Sequence, residues 1–139
     1  MRQASTELEF RTSGQGLTEV TRDIAAWVAA QGFSTGMLTV FCRHTSASLT
    51  IQENADPDVQ RDLETFFKKL VQEDPRLYRH TAEGADDMPA HIRGALTDVS
   101  LNIPVAVGRM TLGTWQGIYL FEHRVRPHRR SLVLHLIGE

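Results

Sequence analysis

Residues 44–62 read HTSASLTIQENADPDVQRD. Within them, 47–52 (ASLTIQ) has the alternation of a strand, with Leu49 and Ile51 on one face. Asp56-Pro57 then opens a helix. Asp56 can cap it, Pro57 suits its first position, and Asp58 complements the positive end of the dipole. Val59, Leu63, Phe66, Phe67, Leu70 and Val71 continue as one helical stripe, and Pro75 lies beyond its end. The same segment is unusually polar. It carries His44, the hydroxyls Thr45, Ser46, Ser48 and Thr50, and then Gln52, Glu53, Asn54, Asp56, Asp58 and Gln60. Connecting segments are polar as a rule, so composition alone favours a turn. His44 to Ser46 falls at a strand end, where side chains can converge on a pocket.

Upstream, residues 3–12 alternate Leu8 and Phe10 with Glu7, Glu9 and Arg11, the pattern of a half-buried strand. Gly14 and Gly16 break it. Thr18 is placed to cap a helix in which Leu17, Val20, Ile24, Trp27 and Val28 recur at helical spacing, with Gly32 at its C-terminal end. Residues 36–43 (GMLTVFCR) read as a largely apolar, central strand. Downstream, 76–90 has no clear period and contains Tyr78, His80, Glu83, Asp86 and Asp87. A long polar loop of this kind is uncommon in a compact domain and is often functional. A short helix carrying His91 follows over 89–97. The last third is strand-rich. Pro104 demands an edge or strand-start position for 103–107. Residues 109–115 and 118–124 flank Gln116-Gly117 as a hairpin. Residues 131–137 (SLVLHLI) form a closing strand. Strands outnumber helices without alternating regularly with them, so the expected class is α+β.

The chain has 139 residues with 41% hydrophobic and 23% charged, so one domain over 1–139 is expected. A net charge of −2 provides no field for nucleic acid or an anionic membrane. No run approaches a membrane span, and no apolar leader opens the chain. The single cysteine, Cys42, precludes an internal disulfide and fits a reducing, cytoplasmic compartment.

The histidines are the first candidates for chemistry. His135 sits in an apolar strand and reads as structural, and His128 lies in an exposed turn. His44, His80 and His91 lie at a strand end, in the polar loop and at a helix start. Three imidazoles would suit zinc with an open fourth position. Their spacing matches no compact zinc signature, so spacing alone favours surface residues. Arg124, Arg126, Arg129 and Arg130 cluster around Pro127, and a basic turn can hold phosphate, although a solvated hairpin tip is the plainer reading. Glu122, among apolar neighbours, is either at an edge or buried with a partner.

Three stretches carry a resemblance: HTSASLTIQENADPDVQRD, EGADDMPAHIRGAL (83–96) and LGTWQGIYLFEHR (112–124). Together they closely resemble the YjbQ family, whose members are called secondary thiamine-phosphate synthases. The resemblance implies a small α+β domain with a β-sandwich and two to three helices, assembled as a homotrimer with sites near subunit interfaces. It implies a pocket lined by His44, Glu53, Asn54, His80, His91, Gln116, Glu122 and Arg130, with a divalent metal in some members. The implied reaction joins hydroxymethylpyrimidine diphosphate to thiazole phosphate and releases pyrophosphate.

On this basis the expected function is a trimeric enzyme acting on a small phosphorylated metabolite. Glu53, Asn54, Gln116 and Glu122 are the expected catalytic residues. Thr45, Ser46 and Arg130 are expected to bind phosphate, and His44, His80 and His91 to bind zinc. The rival readings are a metal-dependent hydrolase, with Glu122 or Glu53 as base, and a non-catalytic module holding a metal or phosphometabolite.

Overall fold

β1 (Arg2–Arg11) and β8 (Arg129–Gly138) form a long antiparallel pair, with Leu8 opposite Leu132 and Phe10 opposite Arg130. The alternation seen in the sequence sets their faces: Leu132, Leu134 and Leu136 point inward and are fully buried. On the other side of β8 lies β3 (Thr35–Cys42), followed by β5 (Ser100–Ala106) and the two-residue β6 (Arg109–Met110), so one sheet has the order β1-β8-β3-β5-β6. A second sheet, β2-β7-β4, combines β2 (Gly16–Glu19), β7 (Gln116–Glu122) and β4 (Ala47–Glu53). The computed structural model describes all residues, 1–139.

The core lies between the two sheets. Leu38, Val40, Leu101, Ile103 and the β8 leucines meet Leu49, Ile118 and Leu120 across it. α1 (Thr21–Ala30) supplies Ile24 and Val28 to the same cluster. α2 (Pro57–Leu70) covers the outer face of the smaller sheet. Phe67 meets Phe121 edge-on at 5.4 Å, the Gln60 amide donates to the Tyr119 hydroxyl (2.8 Å), and Glu64 accepts from the Leu17 amide (2.9 Å). Asp56 caps α2 as the sequence indicates, accepting from the Asp58 amide at 2.9 Å. α3 (Asp87–Leu96) secures the other end of α2, because the buried Arg93 donates to the Val71 carbonyl (2.7 Å). The domain is thus α+β, with three helices on curled antiparallel sheets.

Three local expectations change. Leu17 belongs to a strand, opposite Phe121, and the helix begins only at Thr21. Thr18 does not cap it; instead Thr21 Oγ1 accepts from the Ile118 amide at 2.8 Å, tying the helix start to β7. Gln116-Gly117 is no turn, because it starts β7, whose partners are β2 and β4. The hairpin forms earlier, between β5 and β6, around Val107 (φ 51°) and Gly108 (φ 75°). Consecutive positive φ values match the right-handed strand twist there, which Gly108 adopts without cost and the exposed Val107 does not. No helix is long and apolar enough to cross a membrane.

Candidate functional site

The polar loop and α3 bring two of the three candidate histidines together. Asp87 opens α3 and His91 lies one turn later, so both occupy one helix face. His80 reaches the same point from the loop. Asp87 Oδ2 is 2.6 Å from His80 Nε2 and 3.1 Å from His91 Nε2. The other oxygen, Oδ1, accepts from Arg124 Nη1 at 2.8 Å. Arg124 also holds Asp86 through Nε (2.9 Å) and the Glu83 carbonyl through Nη2 (3.0 Å), which latches the start of α3 to the end of β7. Burial pushes the Asp87 carboxyl up, but the His80 bond and the Arg124 charge outweigh it, and the acid lies below its ordinary range. An ionised carboxylate is therefore held between two imidazoles.

One donor atom each from His80, Asp87 and His91 lies within 4.8 Å of the others. Two imidazole nitrogens and one carboxylate oxygen are a zinc-type donor set with room for a further ligand. Arg124 supplies the outer contact that orients the carboxylate. The residues present therefore fit a divalent ion. His91 also lines a cleft of about 280 Å³, shared with His44, Thr45, Gly94 and Val99.

His44 stands apart from the cluster. Its Nε2 accepts from the Ser131 amide at 2.8 Å, so that nitrogen is committed to β8. Burial, then the Arg130 charge, lowers its pKa and keeps the ring neutral. It is placed as a wall of the cleft.

Glu122 and Arg130 form a buried pair on the core face of β7 and β8. Arg130 Nε donates to Glu122 Oε1 at 2.8 Å, and Nη2 bonds Oε2. Thr12 Oγ1 (2.7 Å) and the amides of His123 and Arg124 (3.1 Å each) complete the shell of the carboxylate. Burial raises the Glu122 pKa, yet the Arg130 and Thr12 bonds carry it below the usual carboxylate value. Glu122 is wholly buried and Arg130 only 4% exposed. Arg130 Nη2 also binds Ser46, at the carbonyl (3.2 Å) and Oγ (3.0 Å). The expected phosphate anchor is thus a structural guanidinium, Ser46 is one of its acceptors, and Glu122 is no accessible base. Thr45 alone of that set lines the cleft.

The other expected catalytic residues lie elsewhere. Register pairs Ala47 with Glu122 at one end of β4–β7 and Glu53 with Gln116 at the other. Six residue steps along the strand separate those ends, about 20 Å. There Glu53 accepts from the Asp56 amide (3.2 Å), Asn54 donates to Glu19 (3.3 Å), and Gln116 accepts from the Gly113 amide (2.8 Å). Within one chain, Glu53, Asn54 and Gln116 do not join the histidines.

Asp87 and His123 carry no role in the sequence reading, and Arg124, expected with its neighbours in a phosphate-holding turn, is instead bonded to Asp86, Asp87 and the Glu83 carbonyl. The Asp87-to-His91 spacing inside DDMPAH is a signal for the first. His123 directly follows Glu122 at the end of β7 and continues its alternation, so it faces the opposite side, beneath α2. Its Nε2 meets Ser48 Oγ at 2.8 Å, which in turn accepts from Thr97 Oγ1 (2.6 Å), while Nδ1 has no partner.

The family described as "UPF0047 protein YjbQ-like" matches residues 6–139. The chain belongs to the YjbQ-like UPF0047 family. The UPF0047 protein sll1880 of Synechocystis sp. is 56% identical over 138 residues, 99% of this chain and 94% of that one. The UPF0047 protein YjbQ of Salmonella typhimurium is 51% identical over 105 residues, 76% of this chain and 75% of the relative. A crystal structure of a YjbQ/UPF0047-family protein from Clostridium acetobutylicum superposes with a TM-score of 0.86 at 38% identity, covering 95% of this chain and 99% of that one.

Proposed function

We propose that the protein is a divalent-metal-dependent enzyme acting on a small phosphorylated metabolite, working as a homotrimer. The observation that carries this reading is the His80–Asp87–His91 convergence beside the cleft of His44 and Thr45. The nameable reaction is thiamine-phosphate synthesis, in which hydroxymethylpyrimidine diphosphate couples to thiazole phosphate and pyrophosphate departs. A bound divalent ion would supply positive charge for such a leaving group. The protein's own part is positional. Arg124 fixes Asp87 through Oδ1 and leaves Oδ2 for the ligand set, while His44 stays neutral and shapes the cleft. The proposed metal ligands are therefore His80, Asp87 and His91, with Asp87 replacing His44. The trimer would bring the Glu53–Asn54–Gln116 end of one chain to the histidine end of the next.

Zinc takes neutral imidazole, so protons compete with it, and occupancy should fall on acidification. After zinc supplementation at pH 7.5, elemental analysis should find metal in wild type and in His135→Gln. His80→Ala, His91→Ala and Asp87→Asn should lose it while keeping their circular dichroism spectra. Metal-free wild type would end the metal reading. Product analysis with the two thiamine precursors tests the reaction: pyrophosphate released with a coupled product supports synthesis, and hydrolysis of the diphosphate alone assigns a hydrolase.

A further inference from the structure

Two of the four arginines near Pro127 are spent on structure, Arg124 on Asp86 and Asp87 and Arg130 on Glu122. Unmatched positive charge lies beside them instead. The β1–β8 register sets Arg11 directly opposite Arg129. Like charges directly opposite in an antiparallel pair repel. Arg129 approaches one carboxylate, Glu9, at 3.8 Å, where both side chains are more than half exposed and solvent screens the pair. Arg11 makes no ion pair. Between the two arginines opens a cleft of about 340 Å³ lined by Arg11, Thr12, Pro127, His128 and Arg129, with no carboxylate and no apolar wall apart from the proline.

Two of the residues lining the cleft, Thr12 and His128, are held by the fold. Thr12 donates to buried Glu122 and accepts from the His128 amide at 3.0 Å. His128 Nδ1 is 2.7 Å from the Arg126 carbonyl, which it can only donate to, so the ring is oriented and its tautomer set. Two guanidinium groups lining one polar cleft match the oxygens of phosphate, and binding one would relieve their repulsion. We infer that the Arg11–Arg129 cleft is a phosphate-binding site. Its volume admits a phosphate together with part of the group that carries it.

The cleft and the histidine cluster are joined through Glu122. Thr12 holds one of its oxygens, and the Arg124 amide holds the other while the Arg124 side chain orients Asp87. The inference deepens the proposed phosphorylated substrate and rests on that reading only for what the phosphate is attached to. Phosphate binding itself needs no metal.

The test is calorimetric titration of the full-length protein with inorganic phosphate, pyrophosphate and phenyl phosphate, in chelator and again with zinc. Arg11→Gln and Arg129→Gln should each bind about 10- to 100-fold more weakly, the worth of a charge-assisted hydrogen bond. Arg61→Gln, a surface arginine on α2, should bind as wild type does. Without phosphate, neither cleft variant should melt below wild type, since each removes a repulsion. Tighter binding of phenyl phosphate than of inorganic phosphate assigns the cleft to esters, and the reverse order assigns it to the free ion. Absence of binding by all three probes overturns the site. So does unchanged affinity in both cleft variants. Phosphate lost in His91→Ala but retained in Arg11→Gln would move the anion to the histidine cluster and also overturn it. Because chelator is present in one arm, failure of the metal centre and failure of this cleft give different results.

Discussion

Glu122 and Arg130 show how a charged pair survives in the interior. Each is desolvated, yet Thr12, Ser46 and two backbone amides satisfy what the pair leaves open. Removing one partner strands the other. Arg130→Ala should therefore lose about 3–5 kcal/mol of stability, rather than ligand affinity alone. Denaturant unfolding followed by circular dichroism measures it; a midpoint within error of wild type would refute the structural role. Because the folded pKa of Glu122 is depressed, its contribution is complete above the unfolded carboxylate value of about 4.3. It is lost as pH falls through the folded value.

β7 is the element that organises both sides of the molecule. It is the middle strand of its sheet, with the core on one face and α2 on the other, so every residue from Gly117 to Glu122 is buried. Ile118, Leu120 and Glu122 face the core, whereas Tyr119 and Phe121 lie beneath the helix. His123 continues the second series, its ring 4.4 Å from that of Phe121. Burial, reinforced by the Arg93 charge, lowers its pKa to about 3. The unfolded chain binds a proton near 6.5 that the folded chain refuses, so stability from this group is full above 6.5 and declines as pH falls toward 3. His123→Phe preserves the ring contact and removes the titration, while Ser48 keeps Thr97 as a partner. Between pH 6 and pH 4, the unfolding free energy of wild type should change about 1.4 kcal/mol per pH unit more steeply than that of the variant. Equal slopes would mean that His123 takes up its proton in the folded state.

At the scale of the whole molecule, the outer face of the five-stranded sheet has no layer upon it. Met37 and Phe41 on β3 and Ile137 on β8 are 37–45% exposed there, beside the polar Thr39 and His135. The other surface of the same strands is the core. An uncovered sheet face with apolar residues suits assembly with further copies. Light scattering should give a mass about three times that of the 15.6 kDa chain, and Phe41→Glu should reduce it. A monomer at micromolar concentration would remove both the trimer and the joining of the Glu53 end to the histidines.

Much of this was legible in the chain itself. Alternation placed β1 and β4, residues 131–137 read as the closing strand, and Asp56-Pro57 marked the start of α2, because backbone periodicity and helix capping are local properties. The quoted motifs were enough to identify the family. Polar and charged partners were not legible, since they depend on strand register across the whole chain. Arg129 and Arg130 are neighbours, yet alternation sends Arg130 inward to Glu122 and leaves Arg129 outward against Arg11. Likewise, periodicity could suggest that residues 118–124 form a strand but not that β2 and β4 would flank it in place of a hairpin partner. Only the fold brought His80 to Asp87 and His91 and drew His44 away to β8, because those distances are closed by the packing of α3 against the end of β7.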